Sequence, residues 1–358
     1  MSGERATRLG ELLAAEGLDA LIVEGAANLR YLTGYTGSNG LALLRADGGG
    51  RFFTDFRYES QAAEELDDAF ECEIVAGDLL DALAGSLSAG RVGFDDTKAT
   101  VRRHASLGEH ADSTVELVAA AGLPERLRAV KDEGEIASIA AAASVIDELF
   151  RWLVNQRLGG LTERELMISL EHQMRVLGAS APSFGSIVAS GAHGALPHAQ
   201  PRDVAIERGA LVTFDIGAIV DGYCSDCTRT VAVGDPGGRA REVYEIVLAA
   251  QLAGLAAIAP GISGRDADAQ ARAVIEQAGY GERFGHGLGH GVGLEIHEAP
   301  RLARIGGEQE LVSGNVVTVE PGIYLPGELG VRIEDLAVVR EHGAQVLSAF
   351  TKELLVLD

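Results

Sequence analysis

Apolar positions change their period several times along this chain. Near the start, Leu9, Leu12 and Leu13 share one face of a helix, and the unbroken run Ala20-Leu21-Ile22-Val23 then predicts a buried strand. Segments 41–44 and 51–54 read as two more strands around the turn Asp47-Gly48-Gly49-Gly50. Helical spacing near 58–67 and 78–88, then a strand at 91–94, completes an α/β domain that runs to about residue 122.

The texture changes at Leu123-Pro124. From Lys131 onward Ile136, Ile139, Ala143, Ile146, Phe150 and Leu153 alternate three and four apart, which describes one face of a helix stopping by Gly159-Gly160. Thr162-x-x-Glu165 is a capping box that opens a second helix, with Leu166, Leu170, Met174 and Leu177 on one side. Strands at 211–220 and 223–233 follow, joined by Asp221-Gly222, a dipeptide suited to a two-residue hairpin turn. The order then repeats about 100 residues later. An Ala-rich helix spans 238–259, a second starts at the cap Ser263-x-x-Asp266, and a hairpin pairs 315–325 with 330–340. Residues 123–358 therefore read as one α+β domain built from two related halves, an internal pseudo-twofold duplication.

Charge narrows the list of partners. Fifty-three acidic residues against 30 basic ones give a formal −23, a surface that repels phosphate backbones and anionic headgroups. Nucleic acid and membrane are excluded as expected partners. Met1 to Arg8 leads straight into a helix with no apolar signal core, so a cytoplasmic protein is expected. Three cysteines make no disulfide framework. Cys224 and Cys227 form a C-x-x-C on a strand, where a spacing of three places the thiols on opposite faces, so a structural role is expected.

The chemistry lies in the two hairpins. With a turn at Asp221-Gly222, Asp215 opposes Thr228, and Asp215 and Asp226 become diagonal neighbours on one face. In the second hairpin a turn near Gly327 sets Glu320 directly opposite Glu334. Four carboxylates on otherwise apolar strands repel and desolvate one another unless cations balance them. Arg332 can neutralise part of that charge, and divalent ions the rest. Between the hairpins, His286, His290 and His297 sit in the glycine-rich segment 286–298. An oxygen-rich set with one imidazole suits two hard or borderline ions rather than a thiolate centre. Two such ions support metal-assisted hydrolysis, with an amide as a plausible target. No Lys/Arg cluster beside these residues favours a phosphoester.

Segments 183–201 (with Ala195-Leu196-Pro197-His198), 215–231, 286–298, 318–324 and 331–335, with the helix beginning Val130-Lys131-Asp132-Glu133, carry a resemblance. They resemble the pita-bread domain of the methionine-aminopeptidase, creatinase and prolidase superfamily. Within it the pattern is similar to Xaa-Pro aminopeptidases (aminopeptidase P) and Xaa-Pro dipeptidases (prolidases). Residues 1–122 resemble that family's N-terminal domain through 28–34 and 53–58, a looser match.

The resemblance implies a dinuclear metallo-exopeptidase acting on proline-containing peptides, with Asp215, Asp226, His290, Glu320 and Glu334 as metal ligands. Asp226 and Glu334 would bridge the ions and Glu320 would manage the proton of the attacking water. His198 and His297 would face the substrate. It also implies two divalent ions per chain, manganese first and cobalt or zinc as alternatives, and a homodimer. The compact chain and the Gly-rich segment 35–40 favour the aminopeptidase over the prolidase. A non-catalytic peptide-binding module on the same fold is the alternative from another class, and the complete ligand set counts against it. Phe56 and the two hairpin cysteines depart from the family pattern without touching a proposed ligand.

Overall fold

A computed structural model describes residues 2–358, and the chain divides into two compact units, Met1–Arg128 and Ala129–Asp358. The division falls six residues beyond the 122/123 boundary read from the texture of the sequence. The helix Leu123–Arg128 explains the offset: it buries Leu123 and Leu127, packs on the first helix of the first unit, and its Glu125 accepts a hydrogen bond from Asn28.

The first unit is a mixed six-stranded sheet in the order Phe70–Ile74, Gly50–Thr54, Leu41–Arg45, Ala20–Val23, Gly90–Phe94, Val115–Ala119. The four inner strands are those the apolar runs predicted. The two edge strands bury little, and hydrophobic runs mark only strands covered on both faces.

In the second unit the repeated order is helix, helix, hairpin. Helices Glu133–Leu153 and Glu163–Val176 precede the first hairpin, and Gly237–Ala257 and Gly264–Gln277 precede the second. Capping boxes at Asp132/Glu135 and Thr162/Glu165 start the first pair. The first helix ends at Leu153, a turn and a half before the glycines expected to stop it. The halves match in detail. Each second helix begins at a cap residue, Thr162 or Ser263, that also forms an isolated antiparallel bridge to a later segment, at Ala205 and Glu310 respectively. Each half has its own apolar core, one around Phe150, Leu170 and Phe214 and the other around Tyr244, Ile275 and Val317.

Both hairpins hold the register that their turns predict. Asp215 faces Thr228 and Ile219 faces Cys224 across the Asp221-Gly222 turn, where both residues adopt positive φ (47° and 73°), as a type I′ turn requires. In the second, Val319 faces Asp335 and Gly322 faces Arg332. Both ladders break at the acids. Gly217 sits at the first break, where a Cβ would lie 2.0 Å from Ser183 Oγ and 2.1 Å from the Ser225 carbonyl oxygen. At the second, Pro321 has no N–H to give the ladder. The freed backbone crosses over instead: Glu334 N donates to Thr228 O and Glu320 N to Leu288 O. Breaking both hairpins at this level turns their acidic side chains toward one space.

Candidate metal centre

Asp215, Asp226 and Glu334 each present a carboxylate oxygen within 4.8 Å of the others, although they come from different hairpins. His290 joins them from the strand Gly289–Gly291, its Nε2 3.6 Å from Asp226 Oδ2 and 3.4 Å from Glu320 Oε1. The structure thus brings all five expected ligands to one place. His198 and His297 stand exposed at the rim. The His297 ring centroid is 4.4 Å from that of His290, and His198 is close enough to lower the proton affinity of both His286 and His297.

Electrostatically the centre is unbalanced. Burial, then the charges of Glu334, Asp215 and Glu320, pushes the Asp226 carboxyl well above its ordinary range. Burial, then Glu320 and Asp215, does the same to Glu334. Glu320 is raised to about 7, again chiefly by burial. Arg332 answers part of that charge, pairing with Asp215 at 2.6 Å. Three buried oxygens, Asp215 Oδ1, Asp226 Oδ1 and Glu334 Oε1, have no hydrogen-bond partner. Unpaired buried carboxylate oxygens are strongly unfavourable, and three converging on one space suit cations.

The imidazole fits the same conclusion. His290 Nδ1 lies 3.0 Å from the Gly291 carbonyl, so that nitrogen carries the proton and Nε2 presents its lone pair to the carboxylates. Burial, above all, lowers His290 to about 4, so it is neutral at pH 7, the form that ligates metals. A lone pair aimed at carboxylate oxygens is repulsive unless an ion lies between them. The residues present therefore fit a divalent metal centre by donor chemistry as well as by position.

Several supporting residues escape a reading by motif. Thr228 Oγ1 donates to Glu334 Oε2 at 2.8 Å. Thr318 Oγ1 donates to Glu320 at 3.1 Å and accepts from the His290 backbone N–H. Each threonine stands two residues from an acid, Asp226 or Glu320, so strand periodicity places it on the acid's face and offered a usable signal. Tyr324 had none. Its hydroxyl accepts from Arg332 Nη1 at 2.8 Å and meets His286 Nε2 at 2.9 Å. His286 Nδ1 meets the Gly287 carbonyl, so both ring nitrogens are engaged and this histidine braces Arg332. Cys224 and Cys227 are buried thiols outside any disulfide that enter different apolar clusters, as opposite strand faces require. Contrary to the expectation that neither touches a proposed ligand, the Cys227 thiol packs 3.5 Å from the Glu334 backbone carbonyl, because its strand lies beside the second hairpin.

Comparison with known proteins matches this arrangement. Residues 137–341 match the model of metallopeptidase family M24, and residues 5–130 match the creatinase/prolidase N-terminal domain. A chain from Bacillus anthracis described as an Xaa-Pro dipeptidase is 41% identical, with a TM-score of 0.95 and 100% of each chain covered. An X-Pro aminopeptidase from Thermotoga maritima is 35% identical, with a TM-score of 0.87 over 98% of this chain and 100% of that one. The Xaa-Pro dipeptidase of Pyrococcus furiosus is 34% identical over 98% of this chain and 99% of its own length. The two-domain architecture, the duplicated pita-bread half and the carboxylate centre thus converge with these matches: the chain belongs to metallopeptidase family M24 and carries a creatinase/prolidase N-terminal domain.

Proposed function

We propose that this metallopeptidase removes a single N-terminal residue from proline, hydrolysing the Xaa-Pro bond. The observation that carries the proposal is the set of orphaned carboxylate oxygens beside a neutral, correctly turned His290, within a chain similar along its whole length to Xaa-Pro peptidases. Asp215, Asp226, His290, Glu320 and Glu334 would hold two divalent ions, manganese first among the candidates. Bound there, the pair would supply Lewis acidity and make water acidic enough to react at neutral pH.

The chain's own residues do the rest. Thr228 and Arg332 fix Glu334 and Asp215, two acids of the centre. Glu320 is the carboxylate with most access, its side chain 19% exposed, and Thr318 orients it. It would take the proton of the attacking water and return it to the leaving proline nitrogen. That nitrogen belongs to a tertiary amide with no N–H, so it has no hydrogen to offer a binding site and must gain one to leave. His198 and His297, exposed at the rim, would donate to the scissile carbonyl as it gains negative charge.

For substrate length, the similarity to the Bacillus anthracis and Pyrococcus furiosus dipeptidases supports Xaa-Pro dipeptides. This shifts the aminopeptidase preference drawn from the sequence. The similarity to the Thermotoga maritima X-Pro aminopeptidase supports longer peptides as the second reading. A homodimer in the cytoplasm belongs to the same proposal. A side-by-side assay of Xaa-Pro, Xaa-Pro-Yaa and a longer Xaa-Pro peptide with added manganese tests it. Cleavage of the dipeptide alone is expected. Equal or faster cleavage of the longer peptides supports the second reading, and no cleavage of any refutes both.

A further inference from the structure

Outside the metal centre, one carboxylate is engaged far more heavily than its position in the helix requires. Glu163 is the first residue of the helix Glu163–Val176, directly after the cap Thr162, and it is fully buried. Its Oε1 accepts from Ser190 N at 2.9 Å and from Ser190 Oγ at 2.8 Å. Its Oε2 accepts from His193 Nδ1 at 2.9 Å, from Arg202 N at 3.0 Å and from Arg202 Nε at 3.1 Å. The Arg202 Nη2 adds a bond to Oε1. Burial alone would raise this carboxyl, yet the donors from Arg202 and Ser190 outweigh it and hold it below its ordinary range.

Those donors come from the start, the first third and the end of one loop. Ser190 closes the strand Ile187–Ser190, His193 lies in the short 3-10 turn Gly191–Ala195, and Arg202 begins the segment that runs back along 161–164. His198 lies between them. The far side of the loop reaches the metal centre through a hydrogen bond from Arg332 Nη1 to Pro197 O at 3.4 Å. Glu163 therefore ties both ends of the loop to one point, and the residue carried at its tip is the rim histidine.

The duplication supplies an internal control. In the second half Ser263 is the equivalent cap, and the next residue is Gly264, where a Cβ would lie 2.0 Å from the Arg301 carbonyl oxygen. The repeat itself thus builds this junction with a glycine packed on backbone. The carboxylate is particular to the half that carries His198.

We propose that Glu163 is the positioning residue for His198, closing the 190–202 loop so that the imidazole stands over the scissile carbonyl. This rests on the substrate-facing role assigned to His198 above. The hydrogen bonds of Glu163 go to Ser190, His193 and Arg202 and to none of the five expected ligands, so it acts through the loop.

The test uses the full chain loaded with manganese and an Xaa-Pro dipeptide. Glu163→Gln keeps the side-chain volume but turns an N–H2 toward donors that need an acceptor. The expected result is a fall in kcat of about 10- to 100-fold, since a displacement near 1 Å has that effect. KM and bound manganese should stay close to wild type. Hydrogen exchange should speed up at the amides of Ser190 and Arg202 and not in the two hairpins. In a His198→Ala background the same substitution should change kcat by less than about twofold, because the pair acts as one unit. Ser190→Ala, which removes one donor, should give a smaller loss with the same silence in that background and carries the test if Glu163→Gln does not fold. Losses that multiply in the double variant, or unchanged exchange at both loop ends, overturn the proposal. Normal kcat in His198→Ala alone overturns the role of His198 and not the clamp, which the exchange measurement reads without activity.

Discussion

Neutralising one acid of the centre should stabilise the metal-free protein while destroying its response to metal. Glu334 is 1% exposed, with Oε2 on the Thr228 hydroxyl and Oε1 unpartnered. Burial, then Glu320 and Asp215, raises its carboxyl well above the ordinary 4.5. Such a group holds its proton more tightly in the folded, ion-free chain than in the unfolded one, so stability is lost as pH rises above the ordinary carboxylate range. A buried acceptor left without a partner, as Oε1 is, costs about 1–3 kcal/mol, and more when charged.

Gln at 334 carries no such penalty, can accept from Thr228 and can donate to the orphaned oxygens of Asp215 or Asp226. In EDTA at pH 7 the E334Q protein should therefore melt higher than wild type. At 2–4 °C per kcal/mol for a unit of this size, relieving a cost of about 1–3 kcal/mol gives a gain of about 2–12 °C. The sign reverses the usual carboxylate rule. A raised folded pKa gives stability that is complete below the unfolded value and lost as pH rises through the folded one. The advantage of the variant should thus shrink to almost nothing near pH 4.5 and grow toward pH 7. Saturating manganese should invert the order, because an ion at 1,000 times its Kd adds about 4 kcal/mol to wild type and far less to the variant. Differential scanning fluorimetry across pH, with EDTA or manganese, reads all of this. A variant that melts below wild type in EDTA at pH 7 would refute the picture of an uncompensated buried charge.

Arg332→Met should act in the opposite direction: it strips Asp215 of its 2.6 Å partner and lowers the stability of the chelated protein by about 3–5 kcal/mol, read by urea unfolding. Manganese should recover part of that loss, and a neutral outcome in EDTA would show that Asp215 does not depend on the guanidinium. Glu320→Ala should leave a folded protein with kcat reduced by at least about 100-fold, the scale of a lost general base, checked by circular dichroism and a dipeptide assay. Cys224→Ala with Cys227→Ala should leave kcat unchanged and insensitive to oxidant, because the two thiols point into separate cores; loss of activity on oxidation of the wild-type pair would contradict this.

Much of this centre could be read from the sequence because turn chemistry fixes register. Asp221-Gly222 set Asp215 against Thr228, and the turn at Gly327 continued the pairing that faces Glu320 to Glu334. The same period-two logic separated Cys224 from Cys227. Register describes a hairpin only within itself, however. It could not show Thr228 hydrogen-bonded to Glu334 of the other hairpin, nor Arg332 reaching across to Asp215. It also gave no hint that Gly217 and Pro321 interrupt the ladders at the acids. In the first unit, Phe70–Ile74 and Val115–Ala119 went unread because edge strands need little apolar surface. The Glu163 bonds were hidden for a similar reason: the capping box at Thr162 explains Glu165, and nothing local marks the residue between them as the partner of a loop up to 39 residues away.

Five residues from two hairpins and a glycine-rich strand are expected to hold a pair of divalent ions. Equilibrium titration of the chelated chain with manganese, counted by elemental analysis, tests it most directly. About two ions per chain are predicted for wild type and one or fewer for Asp226→Asn, with dipeptide cleavage appearing only as the second site fills. Fewer than about one ion per wild-type chain at saturating manganese, or the same stoichiometry in the variant, would contradict the account.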